Sequence, residues 1–202
     1  MRRLLRQPSF FYIFAPMKRF FSLLLAVLAL SACGNRFAGD PAAEALEAYI
    51  IAHAPEGCKF TLTELQKVDS TTIATELKRR TGIFAKRMVK NEELNVRYRT
   101  DGHPKNAELK RIAMKKDQRV MQDLAALRES LGEEIHRTAY YDYRFSGHLT
   151  KGRQSVDYND AWFTLTPAGE VLVVVSDKRD LHKSGGLAIP GYREIIRDAD
   201  PE

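Results

Sequence analysis

After His136 the hydrophobic period of the chain changes, and that change limits the architectures open to it. Before it, Ile73, Leu77, Phe84 and Met88 recur at helical spacing, as do Leu109, Ile112, Ala113, Val120, Leu124, Leu127 and Leu131. Apolar residues three and four apart share one side of a helix. The two segments therefore predict long amphipathic helices joined by a turn at Asp101-Gly102-His103-Pro104, the second ending near Gly132. Beyond His136, Ala139, Tyr141, Tyr143 and Phe145 alternate with Tyr140, Asp142, Arg144 and Ser146, the period of a strand. Gly147 to Arg153 can turn the chain, Val156 to Thr166 is the next strand, Pro167-Ala168-Gly169 is a tight turn and Val171 to Val175 a strongly apolar strand.

The segment ahead of the helices completes the pattern. Asp40-Pro41 reads as an N-cap with proline in the first turn, and Leu46, Tyr49, Ile50 and His53 fall along one face of the helix that follows, which Pro55-Glu56-Gly57 ends. Lys59 to Lys67 reads as a short strand, and Asp69-Ser70-Thr71-Thr72 offers capping side chains to the first long helix. Leu187 to Ile189 can add an edge strand in the tail. The expected fold is α+β: an N-terminal helix, a short strand, a long helical hairpin, then an antiparallel meander of three to four strands, with residues 40–202 forming one domain. This order is similar to cystatin-like folds, in which a curved sheet wraps a helix.

Residues 1–32 have a different character. From Met17 the chain reads Met-Lys-Arg, then an apolar run from Phe20 to Leu30, then Leu30-Ser31-Ala32-Cys33-Gly34. Positive residues, a short apolar stretch and small residues in that order are the layout of a signal peptide, and the run is too short to span a bilayer comfortably. Met1 gives an unusually long leader with Pro16 inside it, so Met17 is the expected start. Leu30-Ser31-Ala32-Cys33 resembles the lipobox of bacterial lipoproteins. The resemblance implies that the Cys33 sulfur receives a diacylglyceryl group, that a signal peptidase cuts between Ala32 and Cys33, and that further acylation, palmitate being typical, completes the anchor. At about 0.8 kcal/mol per buried methylene, several acyl chains hold a protein to a membrane stably. Residues 33–39 are then a tether. Gly34 is not the aspartate that retains enteric lipoproteins in the inner membrane, so the resemblance implies outer-membrane attachment with the body facing the periplasm.

Charge follows this division. The pI of 9.3 and formal charge of +6 suggest an anionic partner, yet Arg2, Arg3, Arg6, Lys18 and Arg19 all precede Cys33, with no acid among them. The remainder holds 27 basic and 26 acidic residues, giving no case for nucleic acid. The body is uneven, however: Lys67 to Arg128 holds 16 basic against 8 acidic residues, so the helical hairpin is a candidate surface for an envelope protein or an anionic polymer.

Catalytic and metal motifs are sparse. His53, His103, His136, His148 and His182 include no pair at ligand spacing on one helix, so no metal site is expected, and nothing calls for a cofactor. Once Cys33 is lipidated Cys58 has no partner in the chain, and a packed thiol at a strand start is expected there. Asp157-Tyr158-Asn159-Asp160 lacks the glycine and distal glutamate of a calcium loop, and Lys183-Ser184-Gly185-Gly186 lacks phosphate-loop spacing. Ser146 beside His148 and Ser184 beside His182 lack a nucleophile elbow. Gln154-Ser155-Val156-Asp157-Tyr158 resembles the Gln-x-Val-x-Gly hairpin of cystatin inhibitors, but Tyr158 replaces the glycine and inhibition is not expected.

Three functional expectations follow. The first is a membrane-anchored envelope lipoprotein with a non-catalytic binding or scaffolding domain. A second is a small-molecule or glycan carrier that uses an aromatic groove at Tyr141, Tyr143 and Trp162, since tyrosine and tryptophan join apolar surface to a polar tip. A third is a hydrolase whose site draws on His148, Asp142 and neighbouring strand residues.

Overall fold

A computed structural model of the protein describes residues 37–199. The leader, the cleavage position Ala32, the lipid-bearing Cys33 and the first part of the tether lie outside the described residues. The elements run α1 (Pro41–His53), β1 (Lys59–Thr72), α2 (Ile73–Thr100), α3 (Pro104–Leu131), a 3-10 turn (Gly132–His136), β2 (Thr138–Lys151), β3 (Gln154–Leu165), β4 (Val171–Val175), α4 (Lys178–Leu181), a second 3-10 turn (Gly185–Ala188) and α5 (Tyr192–Ala199). The four strands form one antiparallel sheet in the order β1-β2-β3-β4. The fold is the expected α+β arrangement, with the α2–α3 hairpin inserted between the first two neighbours of the sheet.

Both faces of the sheet are covered. On one face α1 lays Leu46 and Ile50 against Phe60, Phe145, Phe163 and Leu165. The Asp40 side chain starts α1 by accepting from the Ala42 and Ala43 amides at 2.8 and 3.3 Å, satisfying donors that have no partner within the helix. Leu46 is wholly buried, which contributes about 1.5–3 kcal/mol of apolar transfer. Phe60 crosses to β2 over Gly147, where an added Cβ would meet the Phe60 ring at 2.9 Å and the Thr61 carbonyl at 2.8 Å; only glycine admits that approach. On the other face Leu77 and Phe84 of α2, Val120 and Leu124 of α3, and Ile189 and Tyr192 of the tail surround Tyr140.

Thr72 links the first strand to the hairpin: it ends β1 and its hydroxyl accepts from the Thr75 amide at 3.3 Å. Gly102, with φ +73°, breaks the helix, and Pro104 restarts it in α3, where the missing N–H costs nothing. Along the seam Asn95 Nδ2 donates to the Ala107 carbonyl at 2.5 Å, and Arg87 pairs with the buried Asp117 through both its Nε and Nη2.

Three local expectations change. β1 runs to Thr72 rather than stopping at Lys67, because Asp69, Ser70 and Thr71 pair with Asp142, Tyr141 and Tyr140 after a register shift. β2 runs to Lys151, so the turn before β3 is confined to Gly152 and Arg153, with Gly152 at φ +59°. Leu187 to Ile189 is no edge strand: Gly185–Ala188 forms a 3-10 turn instead. Its two glycines lie close against other side chains, Gly185 against Glu76 and Tyr140 and Gly186 against Tyr192 and Arg80.

Candidate functional site

The first turns of α2 carry Glu76, Arg79 and Arg80, three and four residues apart and so stacked on one side of the helix. That side faces the sheet. Glu76 is wholly buried, and an ionised carboxylate removed from water must be compensated by partners. It has three: Arg80 Nε donates to Oε1 at 2.6 Å, Arg79 Nη1 donates to Oε2 at 2.6 Å, and the Tyr140 hydroxyl donates to Oε2 at 2.7 Å. The Tyr140 hydroxyl in turn accepts from Arg79 Nη1 at 2.5 Å. Burial, the largest influence, and the Glu76 carboxylate push the phenol up to about 12, while Thr71 and Arg79 act against them.

Arg80 extends the cluster into the tail. Its Nη2 donates to the His182 carbonyl at 2.6 Å and its Nη1 to the Lys183 carbonyl at 3.1 Å, so one guanidinium ties α2 to the segment after α4. A planar fork serves this triple role where a lysine ammonium could not. The same segment brings His182 toward β2. Asp142, 2% exposed, accepts from Thr164 Oγ1 at 3.4 Å, and its Oδ2 lies 4.0 Å from His182 Nδ1. His182 Nδ1 is buried and has no hydrogen-bond partner among the described residues. Burial raises the Asp142 carboxyl above its ordinary range, with the nearby His182 opposing and Asp69 adding to the effect.

Above this buried layer opens a pocket of about 290 Å³ lined by Arg79, Arg80, Ile83, Arg179, His182 and Lys183. Two elements far apart in sequence supply the cations: Arg79 and Arg80 come from α2, the others from α4 and the residues after it. Arg179 pairs with Asp177 at 2.5 Å and Lys183 with Asp180 at 2.7 Å, both at exposed side chains. No carboxylate of the described residues lines the pocket itself. Chemically, the arrangement can hold an anion.

The residues singled out from sequence fall elsewhere, with one exception. Tyr143 pairs across the sheet with Phe163 and stacks on it, centroids 4.9 Å apart, on the face covered by α1; the Arg144–Trp162 pair is on the opposite face. Tyr141 lies on the Tyr143 side beneath Lys67 Nζ, 3.5 Å from its ring, and Lys178 Nζ lies 5.0 Å from the Trp162 ring. The sheet thus separates Tyr141 and Tyr143 from Trp162, and the three do not line one groove. His148 bonds Asp157 at 2.8 Å at the exposed end of the β2–β3 hairpin; Asp142, its expected partner in a hydrolase, stands beside His182 instead. Cys58 is half-buried just before β1. Among the described residues no group of three or more His, Cys, Asp or Glu could hold a metal ion, and no helix is long and apolar enough to cross a membrane.

Read alone, the sequence marks Asp142 and His182 separately, includes Arg79 and Arg80 only as members of the basic stretch Lys67–Arg128, weighs Lys183 only for a phosphate loop it does not form, and does not pick out Arg179. The legible signal is Glu76-x-x-Arg79-Arg80, an acid with two arginines on one helical side; the tail's contribution depends on tertiary folding. Comparison of the chain with protein-family models, with curated proteins and with solved structures finds no match.

Proposed function

We propose that the protein is a lipid-anchored lipoprotein of the bacterial cell envelope whose folded domain is a binding module. The observation that carries the anchor is Leu30-Ser31-Ala32-Cys33 directly after an apolar run with Lys18 and Arg19 before it. Support comes from the sequence between the cysteine and the domain: residues 33–39 lead from Cys33 to Asp40, which caps α1, a length that suits a tether. The proposed address is the outer membrane with the body toward the periplasm, following Gly34 after the cysteine. The likeness to cystatin-like folds stays a proposal of the same kind, supported by α1 lying against the sheet.

A binding role is favoured because the described residues concentrate charge around an open pocket and along the hairpin. The anchor would hold that surface near the membrane and leave it free to meet an envelope component. Intact mass and N-terminal peptide sequencing of the protein purified from its native membrane test the anchor. A triacylated peptide beginning at Cys33 is expected, and Cys33→Ser should leave an unlipidated precursor, because a hydroxyl cannot replace the thiolate in lipid transfer. An unmodified peptide beginning at Met1 or Met17, or a Cys33→Ser protein that still fractionates as a mature lipoprotein, overturns the reading.

A further inference from the structure

We infer that the pocket between the start of α2 and the segment Arg179–Lys183 is a binding site for a phosphate group, free or at the end of a larger molecule. The inference rests on reading the domain as a binding module and does not depend on the anchor. Four side chains that are cationic at neutral pH line the pocket, and His182 adds a fifth charge when protonated. Among the described residues Arg79 donates from its Nη1, to Glu76 and Tyr140, and from neither Nε nor Nη2, and the side chain is one-third exposed. The geometry therefore combines a held guanidinium with unused donors.

The division of labour among the cations supports a site rather than a patch of solvated charge. Arg80, 8% exposed at its side chain, is a positioning residue: its bond to Glu76 holds it on α2, and its two bonds to the His182 and Lys183 carbonyls tie the tail segment to that helix. Arg179 and Lys183, with side chains 89% and 73% exposed, pair among the described residues with Asp177 and Asp180. Water screens exposed pairs of that kind, so an incoming dianion can compete with Asp177 and Asp180 for Arg179 and Lys183. Two guanidinium groups approaching from different elements, Arg79 from α2 and Arg179 from α4, suit the tetrahedral oxygens of a phosphate better than the two in-plane oxygens of one carboxylate. Ile83, itself 47% exposed, is the one apolar side chain among the lining residues.

Calorimetric titration of the full chain, purified from its native membrane in a neutral detergent at low salt, tests the site. One arm uses inorganic phosphate and the other mixed micelles containing phosphatidic acid. Binding in either arm is expected, and the arm that binds more tightly identifies a free or a lipid-borne phosphate. Arg179→Gln with Lys183→Gln should weaken that binding at least tenfold while leaving the thermal midpoint in place, because both side chains are exposed. Lys105→Gln with Lys110→Gln removes the same charge from the hairpin and should change binding less than twofold. Absence of binding in both arms, or an equal loss in the two double variants, overturns the inference. A chain found unlipidated at Cys33 that still binds phosphate would remove the anchor alone; a lipidated chain that binds none would remove the pocket alone.

Discussion

Arg80 Nε donates to Glu76 Oε1 at 2.6 Å, one turn away on α2, and the side chains are 8% and 0% exposed. A surface pair at this spacing adds only a few tenths of a kcal/mol. Here both charges are out of water, so each is the other's main compensation, and the bond also sets the position from which Arg80 reaches the carbonyls of His182 and Lys183.

Loss of one partner should therefore cost far more than the pair's net contribution. Glu76→Gln leaves the Arg80 guanidinium buried without its counter-charge, and destabilisation of about 3–5 kcal/mol is expected. Urea unfolding of the variant measures it. Glu129→Gln, at an exposed helical position, should stay within about 0.5 kcal/mol and serves as the control. A Glu76→Gln loss as small as that of the control would mean that water reaches the cluster.

Two glycines of the tail make the packing of this cluster testable from the other side. A Cβ on Gly185 would lie 2.8 Å from Glu76 Oε1 and 2.9 Å from Tyr140 Cε1, and one on Gly186 would lie 2.5 Å from Tyr192 Cε1. Gly185→Ala and Gly186→Ala should each destabilise by about 1–3 kcal/mol through overpacking. Gly82→Ala should do the reverse. Nothing lies within 4 Å of its added Cβ in the middle of α2, and replacing a helical glycine stabilises by about 0.5–1 kcal/mol. Differential scanning calorimetry of the three variants separates the two directions, and a stable Gly186→Ala would show that the tail is not seated on Tyr192.

Elements with their own punctuation are legible in the sequence. α1 begins at the Asp40-Pro41 cap, the hairpin turns at Asp101–Pro104, and β4 occupies the apolar run Val171–Val175. Elements defined by a partner are not. Asp69-Ser70-Thr71 looks like a capping cluster locally, yet it is held as strand by Asp142, Tyr141 and Tyr140. Gly185 and Gly186 read as loop punctuation, although their missing side chains are needed beneath Tyr140 and Tyr192. α5 does carry a helical mark, Tyr192, Ile195, Ile196 and Ala199 at i, i+3, i+4 and i+7, although its place beside α3 is set by packing in the cluster around Tyr140. The pairing of Asp142 with His182 is not legible either: His148 is closer in sequence, and only the tail's return brings His182 to Asp142.

Tyr140 should mark the alkaline limit of stability. Its phenol ordinarily titrates near 10 and is pushed up to about 12 in the folded protein. Between those values the folded state retains a proton that the unfolded chain has released, so the contribution present below pH 10 is lost as pH rises to 12. Tyr140→Phe removes this component, and its unfolding free energy should fall less steeply over that range, although it starts lower by about 1–3 kcal/mol for the hydrogen bond lost at Glu76. Parallel slopes for the two proteins between pH 10 and 12 would show that the hydroxyl is not buried as described.

Asp142 behaves in the acid range as Tyr140 does in the alkaline one. Its carboxyl is raised above the ordinary 3.8, chiefly by burial, with the Asp69 charge adding and His182, Arg79 and the Thr164 hydrogen bond opposing. The folded state therefore takes up the proton first as pH falls, and the contribution present below 3.8 is lost as pH rises through the raised value. An asparagine amide is neutral throughout and keeps the shape of the carboxyl, so Asp142→Asn should be at least as stable as the wild type at about pH 7, with the difference closing as the acid range is reached. Unfolding free energies measured at several pH values decide the sign. If the variant is instead less stable near neutrality, the ionised carboxylate is held by His182 more strongly than burial opposes it, and the two residues act as an ion pair across the sheet and tail.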